Sequence, residues 1–341
     1  MNAWHLVTYY AAVSRVISPV TLLTHADTAS LLQPFIDKHP ELSISIRTPY
    51  AVGVNGAKPF NGPSLIKSTD WSTAKWGRQL AQTLKSAFIL QIDNARHLPS
   101  QQVLAASQWV NAWQRELMTF HHASRILLTS AAQTSLLQRR YIVPQAKFAI
   151  VPYSVDTDVF TVNPDLVCEP GLIGTVVQQL NDSLRSLIDT LSVMTGLGLR
   201  LITFDERAGQ AALTYARLRR VRAEVVTPDT PEQIALALTE CELYVNTSEV
   251  QSLSRPVLWA MACGVPTIAA SAHLTDTLSH AETAWLCERL DKACLESALN
   301  MLLSDSSLRS DISTGARRHV EEHFALERVV LSESSIYSQL I

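Results

Sequence analysis

The chain has 341 residues, of which 47% are hydrophobic and 17% charged, a composition typical of a folded globular protein with buried cores. Its net charge of −3 and its sequence pI of about 6.4 argue against nucleic-acid binding. No apolar run approaches the roughly 20 residues that a membrane-spanning helix needs, and the first residues lack the basic and apolar regions of a secretory signal. These features predict a cytoplasmic protein without a transmembrane segment.

Cysteine, histidine and glycine usage narrows the chemistry further. The five cysteines include no C-x-x-C pair and the ten histidines no H-E-x-x-H pattern, which predicts reduced structural thiols and no metal site. Only 11 glycines are present, about 3% of the chain against a usual ~7%. Because the backbone must approach a phosphate closely, a chain so poor in glycine has few places for a phosphate cradle. The cysteines are Cys168, Cys241, Cys263, Cys287 and Cys294.

The N-terminal stretch supports two interpretations. Residues 4–10 could form an opening strand, whereas the spacing of Leu6, Tyr9, Tyr10 and Val13 fits one face of a helix. Residues 2–17 are amphipathic in the helical interpretation, which permits contact with a membrane surface or a partner. Such a helix would leave the first sheet without its opening strand and its glycine-rich loop.

The rest of the first half alternates short β-rich runs with segments of helical spacing, the pattern of a parallel sheet covered by helices. Residues 51–70, rich in Gly and Pro, are predicted to be a loop. The predicted strands are 19–24, 42–47, 87–92 and 125–129, and the predicted helices are 28–38, 72–86, 100–119 and 131–141.

The second half repeats this alternation after a Pro- and Asp-rich segment, residues 152–170, that we predict to be a hinge. The predicted strands are 172–176, 200–204, 223–226, 243–246 and 266–270. The predicted helices are 180–196, 207–219, 231–240, 255–263, 274–280, 292–303, 307–323 and 325–340.

Residues 256–266 read Pro-Val-Leu-Trp-Ala-Met-Ala-Cys-Gly-Val-Pro and closely resemble the donor-binding segment of the retaining glycosyltransferases of family 4, "E-G-F-G-L-P-V-L-E-A-M-A-C-G-V-P". Residues 147–160, Lys-Phe-Ala-Ile-Val-Pro-Tyr-Ser-Val-Asp-Thr-Asp-Val-Phe, resemble the family's passage between its two domains. The resemblance extends over residues 120–341.

This resemblance implies an α/β fold of the GT-B type, with two Rossmann-type αβα domains facing across a cleft. We expect an acceptor-side domain at 1–150 and a nucleotide-sugar domain at 151–324. A C-terminal helix at 325–341 would return to the first domain. The family needs no metal, so the resemblance implies no cofactor beyond the nucleotide-sugar donor.

The family's two donor-site glutamates are replaced or displaced in this chain. Without gaps, Gln251 and Trp259 occupy their positions. With a two-residue insertion at Ser254 and Arg255, Glu249 keeps the sugar-side role and Arg255 turns towards a phosphate. Trp259 offers an indole where a carboxylate is expected, either stacking on a ligand or packing between helix and sheet.

The family's diphosphate-binding cations are also absent. In the run that starts at Gly174, Thr175 stands at the arginine position and Leu180 at the lysine position. In the simpler interpretation, Gly174 ends a strand and nothing there binds phosphate. Arg207 could supply a substitute cation, although capping or a salt bridge with its own helix is the more ordinary role. The N–H groups of Ser252, Leu253 and Ser254, before a predicted helix, could still hold an anion or a sugar hydroxyl.

In the first domain, polar side chains follow the strand at 87–92, where parallel strands present ligands. Asp93, Asn94, Arg96 and His97 form this cluster, and Asp93 and His97 suit proton transfer. A polar loop with satisfied turn residues is the alternative. His273, after the strand at 266–270, is a weaker candidate.

Two functions remain open at this point. The resemblance implies retaining transfer of a hexosyl group from a nucleotide-diphospho-sugar to a glycan acceptor in polysaccharide biosynthesis. The altered donor residues instead favour an inactive GT-B scaffold that binds a protein partner in glycan assembly.

Overall fold

A computed structural model describes residues 9, 12–13, 20–23, 44–47, 65–68, 71–92, 98, 106–163, 166–248, 253–270, 274 and 277–340. The chain divides into two compact units. One is Asn2–Pro152 together with Glu327–Ile341, and the other is Tyr153–Leu326. In the described part of the chain, no helix is both long and apolar enough to cross a membrane. Elements are numbered below within the described residues.

The first unit contains two parallel sheets. β1 and β2 pair with each other, and β3 to β6 form a four-stranded sheet in the order β3-β4-β5-β6. The strands of the larger sheet lie side by side in chain order, and each is joined to the next by a helix. Because such parallel crossovers are right-handed, α1, α2 and α3 lie on the same face of this sheet. The strands are β1 Val20–Leu23, β2 Ile44–Arg47, β3 Leu65–Ser68, β4 Ala87–Ile92, β5 Arg125–Leu128 and β6 Phe148–Ile150; the helices are α1 Trp71–Leu84, α2 Ala106–His122 and α3 Ala131–Gln138.

The core of this unit lies between the four-stranded sheet and these helices. Leu90 and Ile126 of the central strands are fully buried, as is Phe120 of α2. Phe120 meets Tyr141 edge-on, with ring centroids 4.8 Å apart. The last helix, Leu326–Ser338 (α10), contributes Glu333, whose carboxylate is buried against the Lys67 ammonium of β3.

The second unit is built on one six-stranded parallel sheet in the order β12-β11-β10-β7-β8-β9. Its strands are β7 Glu169–Val177, β8 Gly198–Thr203, β9 Arg222–Val226, β10 Cys241–Val245, β11 Thr267–Ala270 and β12 Trp285–Cys287. Its helices are α4 Asp182–Leu191, α5 Glu206–Leu218, α6 Pro231–Thr239, α7 Arg255–Ala262, α8 Lys292–Ser304 and α9 Ser306–His323.

Local sequence explains where these helices begin. Asn181, Asp205, Thr230 and Asp291 occupy the N-cap positions of α4, α5, α6 and α8, and each side chain accepts a hydrogen bond from a first-turn N–H. Gly264 follows α7 with φ of +70°, the left-handed conformation that ends many helices. The α/β class, with a helix-covered parallel sheet in each unit, is as expected.

Several predicted elements need correction. Residues 51–70 are not all loop, because Leu65–Ser68 forms the edge strand β3, whose four residues are too few for a clear sequence pattern. In the range 274–280, the described residues 274 and 277–280 are not helical. Leu274 O accepts from Thr277 N and Leu278 N in a single turn, which leads into the bridge between His280 and Ala284. The short strands β6 and β12 were not predicted.

The N-terminal alternatives are only partly tested. Tyr9, Ala12 and Val13 are helical, which agrees with the helical interpretation of that stretch. The predicted helix 28–38 lies outside the described residues.

The expectation of five reduced thiols is wrong for two of them. Cys287 and Cys294 form a disulfide, with their Cα atoms 6.1 Å apart. The turn between β12 and α8 brings these residues within the bonding range, which sequence spacing could not show. Cys241 and Cys263 are buried free thiols, and burial raises the pKa of each to about 12.

Candidate active site

The strand order of the second unit defines where a ligand would bind. Counted from β7, the sheet has the order 3-2-1-4-5-6, which is the doubly wound arrangement of nucleotide-binding sheets. The order reverses between β7 and β10, so the loops after these two strands diverge and leave a crevice at their carboxyl ends. Among the described residues, the candidate site is therefore formed by residues 178–181, 246–248 and 253–254.

The first of these loops is polar and uncharged. Gln178 and Gln179 are exposed, and Asn181 begins α4. The Asn181 side chain accepts from Leu184 N at 2.9 Å and donates from Nδ2 to Thr247 O at 2.8 Å. One amide therefore caps the helix and ties together the two loops of the switch point.

The second loop begins with buried polar side chains. Asn246 and Thr247 are 5% and 3% exposed. The Thr247 hydroxyl lies 3.1 Å from the Thr175 hydroxyl, and Asn246 Oδ1 accepts from Ser254 Oγ at 3.5 Å. These bonds hold residues 246–248 against β7 without using a charge.

The structure explains why the expected cations are missing. Thr175 is fully buried in β7 and bonded to Thr247, while Leu180 packs partly buried against the hydrophobic core. The strand continues to Val177, so the interpretation that Gly174 ends it is wrong. The connecting residues 178–181 contain neither lysine nor arginine.

The close approach of Cys241 explains why position 174, in the interior of β7, is a glycine. A Cβ atom there would lie 2.7 Å from Cys241 Sγ on the paired strand β10. The φ of Gly174 is not positive, so close packing of β7 on β10 accounts for the glycine.

Arg255 places a cation beside the candidate site. It is the first residue of α7 and half-buried, and its guanidinium lies over the Tyr153 ring, 4.1 Å from the centroid. Contact with a ring face orients the guanidinium of an arginine, which can bind an anion through its planar N–H donors.

The start of α7 is a weaker anion site than its position suggests. Leu253 and Ser254 are each 7% exposed, and Ser254 makes no side-chain cap bond. Pro256 has no N–H group, and Val257 N donates to Ser254 O at 3.1 Å. The first turn therefore offers fewer donors to a phosphate than an ordinary helix does.

Trp259 is a packing residue in this structure. Its side chain lies in a helix whose residues 256–262 are all buried, and Trp259 itself is 6% exposed. The indole stacks on Phe160, with centroids 5.5 Å apart, and meets Phe204 edge-on at 6.2 Å. This environment favours the helix–sheet packing interpretation of Trp259.

Arg207 lies in the first turn of α5, after β8. Asp205 caps that helix by accepting from Arg207 N at 2.9 Å. The side chain is exposed, and among the described residues no carboxylate forms an ion pair with it. The salt-bridge interpretation of Arg207 thus receives no support here.

The predicted catalytic residues Glu249, Asp93 and His97 lie outside the described residues. The predicted donor-binding residues Gln251 and Ser252 lie outside them as well, as do the other polar candidates Asn94, Arg96 and His273. Their predicted roles stay predictions. Within the described ranges, no group of three His, Cys, Asp or Glu side chains could hold a metal ion.

Four residues at or beside the crevice were not predicted from the sequence. Asn181 carries a readable signal, since Asn directly before a helical run is a common N-cap. The contacts of Tyr153, Asn246 and Thr247 depend on residues far away in the chain and gave no such signal.

Comparison with known proteins agrees with this geometry. Residues 176–305 match the family described as "Glycosyl transferases group 1". The matched segment lies within the second unit. It extends from the end of β7 to the cap of α9 and includes both loops of the switch point. N-acetyl-alpha-D-glucosaminyl L-malate synthase of Bacillus anthracis is 31% identical over 111 residues, which are 32% of this chain and 29% of that relative's length.

Solved structures extend the likeness beyond the group 1 segment. Anabaena HepE in complex with UDP and glucose superposes with a TM-score of 0.77 over 98% of this chain and 96% of its own, at 14% identity. Sucrose-phosphate synthase from Thermosynechococcus elongatus superposes with a TM-score of 0.69 over 92% of this chain and 78% of its own, at 18% identity. These neighbours establish the GT-B glycosyltransferase fold.

Proposed function

We propose that this protein transfers a hexosyl group, with retention, from a uridine-diphospho-sugar to a glycan acceptor. The observation that carries the proposal is the doubly wound sheet whose switch point lies within the group 1 segment. HepE, which shares the fold over 98% of this chain, has been solved with UDP and with UDP-glucose.

Arg255 is the residue we assign to the donor phosphates. Its guanidinium is held over Tyr153 at the start of α7, beside the loop that follows β10. Electrostatic stabilisation of the departing diphosphate contributes much of the catalysis in such reactions, and residues 178–181 supply no cation. We assign the sugar-side carboxylate to Glu249, four residues after the last residue of β10.

The proposal is tested by titrating the protein with UDP, UDP-glucose and other nucleotide sugars, using calorimetry and thermal shift. A ligand at 100 times its Kd adds about 2.7 kcal/mol to folding stability, which raises Tm by several degrees. Arg255→Gln should weaken UDP binding about 10-fold or more, because a charge-assisted bond is lost.

Arg222→Gln is the matched control, since Arg222 lies at the amino end of the edge strand β9, away from the carboxyl ends of β7 and β10, and is 63% exposed in its side chain. It should bind UDP as the wild type does. Glu249→Gln should abolish transfer while UDP still binds, and the anomer of the product, read by NMR, tests retention.

A catalytically inactive scaffold is the second candidate. It is favoured by the buried, hydroxyl-paired Thr175, by Leu180 in the core and by Trp259 within an aromatic cluster. If a well-folded sample binds no nucleotide or nucleotide sugar, the enzyme proposal fails and the scaffold is favoured.

A further inference from the structure

Charge is divided unequally between the two units. Residues 2–152 and 327–341 contain 15 Lys and Arg against 8 Asp and Glu, a net charge of +7. Residues 153–326 contain 13 Lys and Arg against 23 Asp and Glu, a net charge of −10. The total of −3 therefore conceals a basic unit and an acidic unit, and such asymmetry is a common sign of a polyanionic partner for the basic part.

The basic charge is least compensated around α2 and α3. Residues 106–150 contain five Lys and Arg but only one acidic residue, Glu116. Glu116 is fully buried and accepts a hydrogen bond from the Tyr141 hydroxyl. The solvent-exposed surface of this stretch therefore displays cations and no carboxylate.

One segment concentrates these cations beside α2. Arg140 lies over Trp109 near the start of the helix, with 5.7 Å from guanidinium to ring centroid. Tyr141 stacks on Trp113 at 6.3 Å, and Lys147 Nζ donates to His121 O at 2.5 Å near the end of the helix. Residues 139–147 therefore run along the length of α2.

Exposed apolar side chains lie among these cations. Ile142, between Arg140 and Lys147, is 91% exposed, and Val110 of α2 is 44% exposed. Trp109, beside Arg140, is half-buried. We call Arg139, Arg140, Ile142 and Lys147, with Trp109 and Val110, the 139–147 surface.

We propose that the 139–147 surface binds the interface of an anionic lipid bilayer. Lysine and arginine near such a bilayer are attracted by its negative surface potential. Ile142 can leave water by entering the boundary between headgroups and acyl chains, and tryptophan is favoured at that depth. A nucleic acid would satisfy the cations but would leave Ile142 in water, so the bilayer fits this surface better. The proposal does not depend on the transferase activity.

Vesicle co-sedimentation of the full chain tests the proposal. The protein should bind vesicles of phosphatidylcholine mixed with phosphatidylglycerol at low salt, and it should not bind phosphatidylcholine alone. The double variant Arg139→Gln/Arg140→Gln should lower the partition coefficient roughly 10- to 30-fold. Ile142→Ser should lower it about 10-fold.

Matched controls are available in the acidic unit. Arg219 and Arg220 come directly after α5, just as Arg139 and Arg140 come directly after α3. Leu218, which is 75% exposed, is the counterpart of the exposed Ile142. Arg219→Gln/Arg220→Gln and Leu218→Ser should partition as the wild type does. Arg139→Lys/Arg140→Lys should also retain binding, because a bilayer responds to charge rather than to guanidinium geometry. Far-UV circular dichroism and Tm establish that each variant is folded.

Three outcomes would overturn the proposal. The first is no binding to anionic vesicles at low salt, and the second is equal loss in the control variants. The third is a protein that does not bind vesicles but binds single-stranded DNA, or that forms a salt-sensitive dimer in sedimentation velocity. That result would assign the basic unit to a soluble polyanion or to the acidic unit of a second copy.

Discussion

A single residue, Gly174, sets how closely the strands β7 and β10 of the second unit pack together. Gly174 lets β7 pack directly on Cys241 of β10, and Thr175 then reaches Thr247 at 3.1 Å. Burial raises the pKa of the Cys241 thiol to about 12, so this thiol stays protonated and inert at neutral pH. The contact positions the two strands that form the switch point.

Gly174→Ala tests this packing role. The new methyl would lie 2.7 Å from Cys241 Sγ, so we expect a loss of about 1–3 kcal/mol in the free energy of unfolding, measured by urea denaturation. Gly174→Ala/Cys241→Ala removes the clash and should recover most of that loss, with Cys241→Ala as the control. Equal stability of Gly174→Ala and the wild type would contradict the packing explanation.

Among the elements, α10 is fixed to β3 by a buried polar contact. The Glu333 carboxylate contacts the Lys67 ammonium and the Tyr337 hydroxyl, and Lys67 Nζ lies 5.9 Å from the centroid of the Tyr337 ring. Burial raises the pKa of Glu333 to about 7, against 4.5 in the unfolded chain, although the hydroxyl bond acts in the opposite direction. Burial of this carboxyl thus makes the docking of α10 dependent on pH.

The direction of this dependence follows from the raised pKa. The folded chain holds the Glu333 proton more tightly than the unfolded chain does, so this group's contribution to stability falls as pH rises from 4.5 to about 7. In Glu333→Gln, the free energy of unfolding should no longer show this decrease between pH 4.5 and about 7, as measured by urea denaturation at several pH values. Glu327→Gln, an exposed change on the same helix, should keep the wild-type profile. An unchanged profile in Glu333→Gln would exclude this carboxyl as the cause.

For the molecule as a whole, the two units differ in how they are assembled from the chain. Tyr153–Leu326 is continuous and contains the whole six-stranded sheet with its core. The other unit is discontinuous, because it needs Glu327–Ile341 from the end of the chain. Val329, Val330 and Tyr337 of α10 are buried, so that helix is part of the unit's interior.

We therefore expect residues 153–326, expressed alone, to fold cooperatively, since a domain needs its own continuous core. Residues 2–152 alone should be markedly less stable, because Lys67 would lose Glu333 and the buried apolar side chains of Val329, Val330 and Tyr337 would be missing. Circular dichroism with urea unfolding measures both. A cooperative 2–152 fragment together with an unfolded 153–326 fragment would contradict this expectation.

Patterns along the chain were sufficient to predict the α/β class, most strands and helices of the second unit and the glycosyltransferase resemblance. These properties depend on local periodicity, N-cap residues such as Asn181 and Asp205, and a contiguous motif at 256–266, all of which can be read along the chain. These patterns did not reveal the short strands β3, β6 and β12, whose three or four residues carry too little pattern.

The roles of individual side chains depend on tertiary contacts. The burial of Thr175 and Trp259, the disulfide between Cys287 and Cys294, and the stacking of Arg255 on Tyr153 each depend on distant segments meeting. The same holds for the buried pair Lys67 and Glu333, which lie 266 residues apart. Such contacts are set by how distant strands and helices pack, which no local pattern encodes.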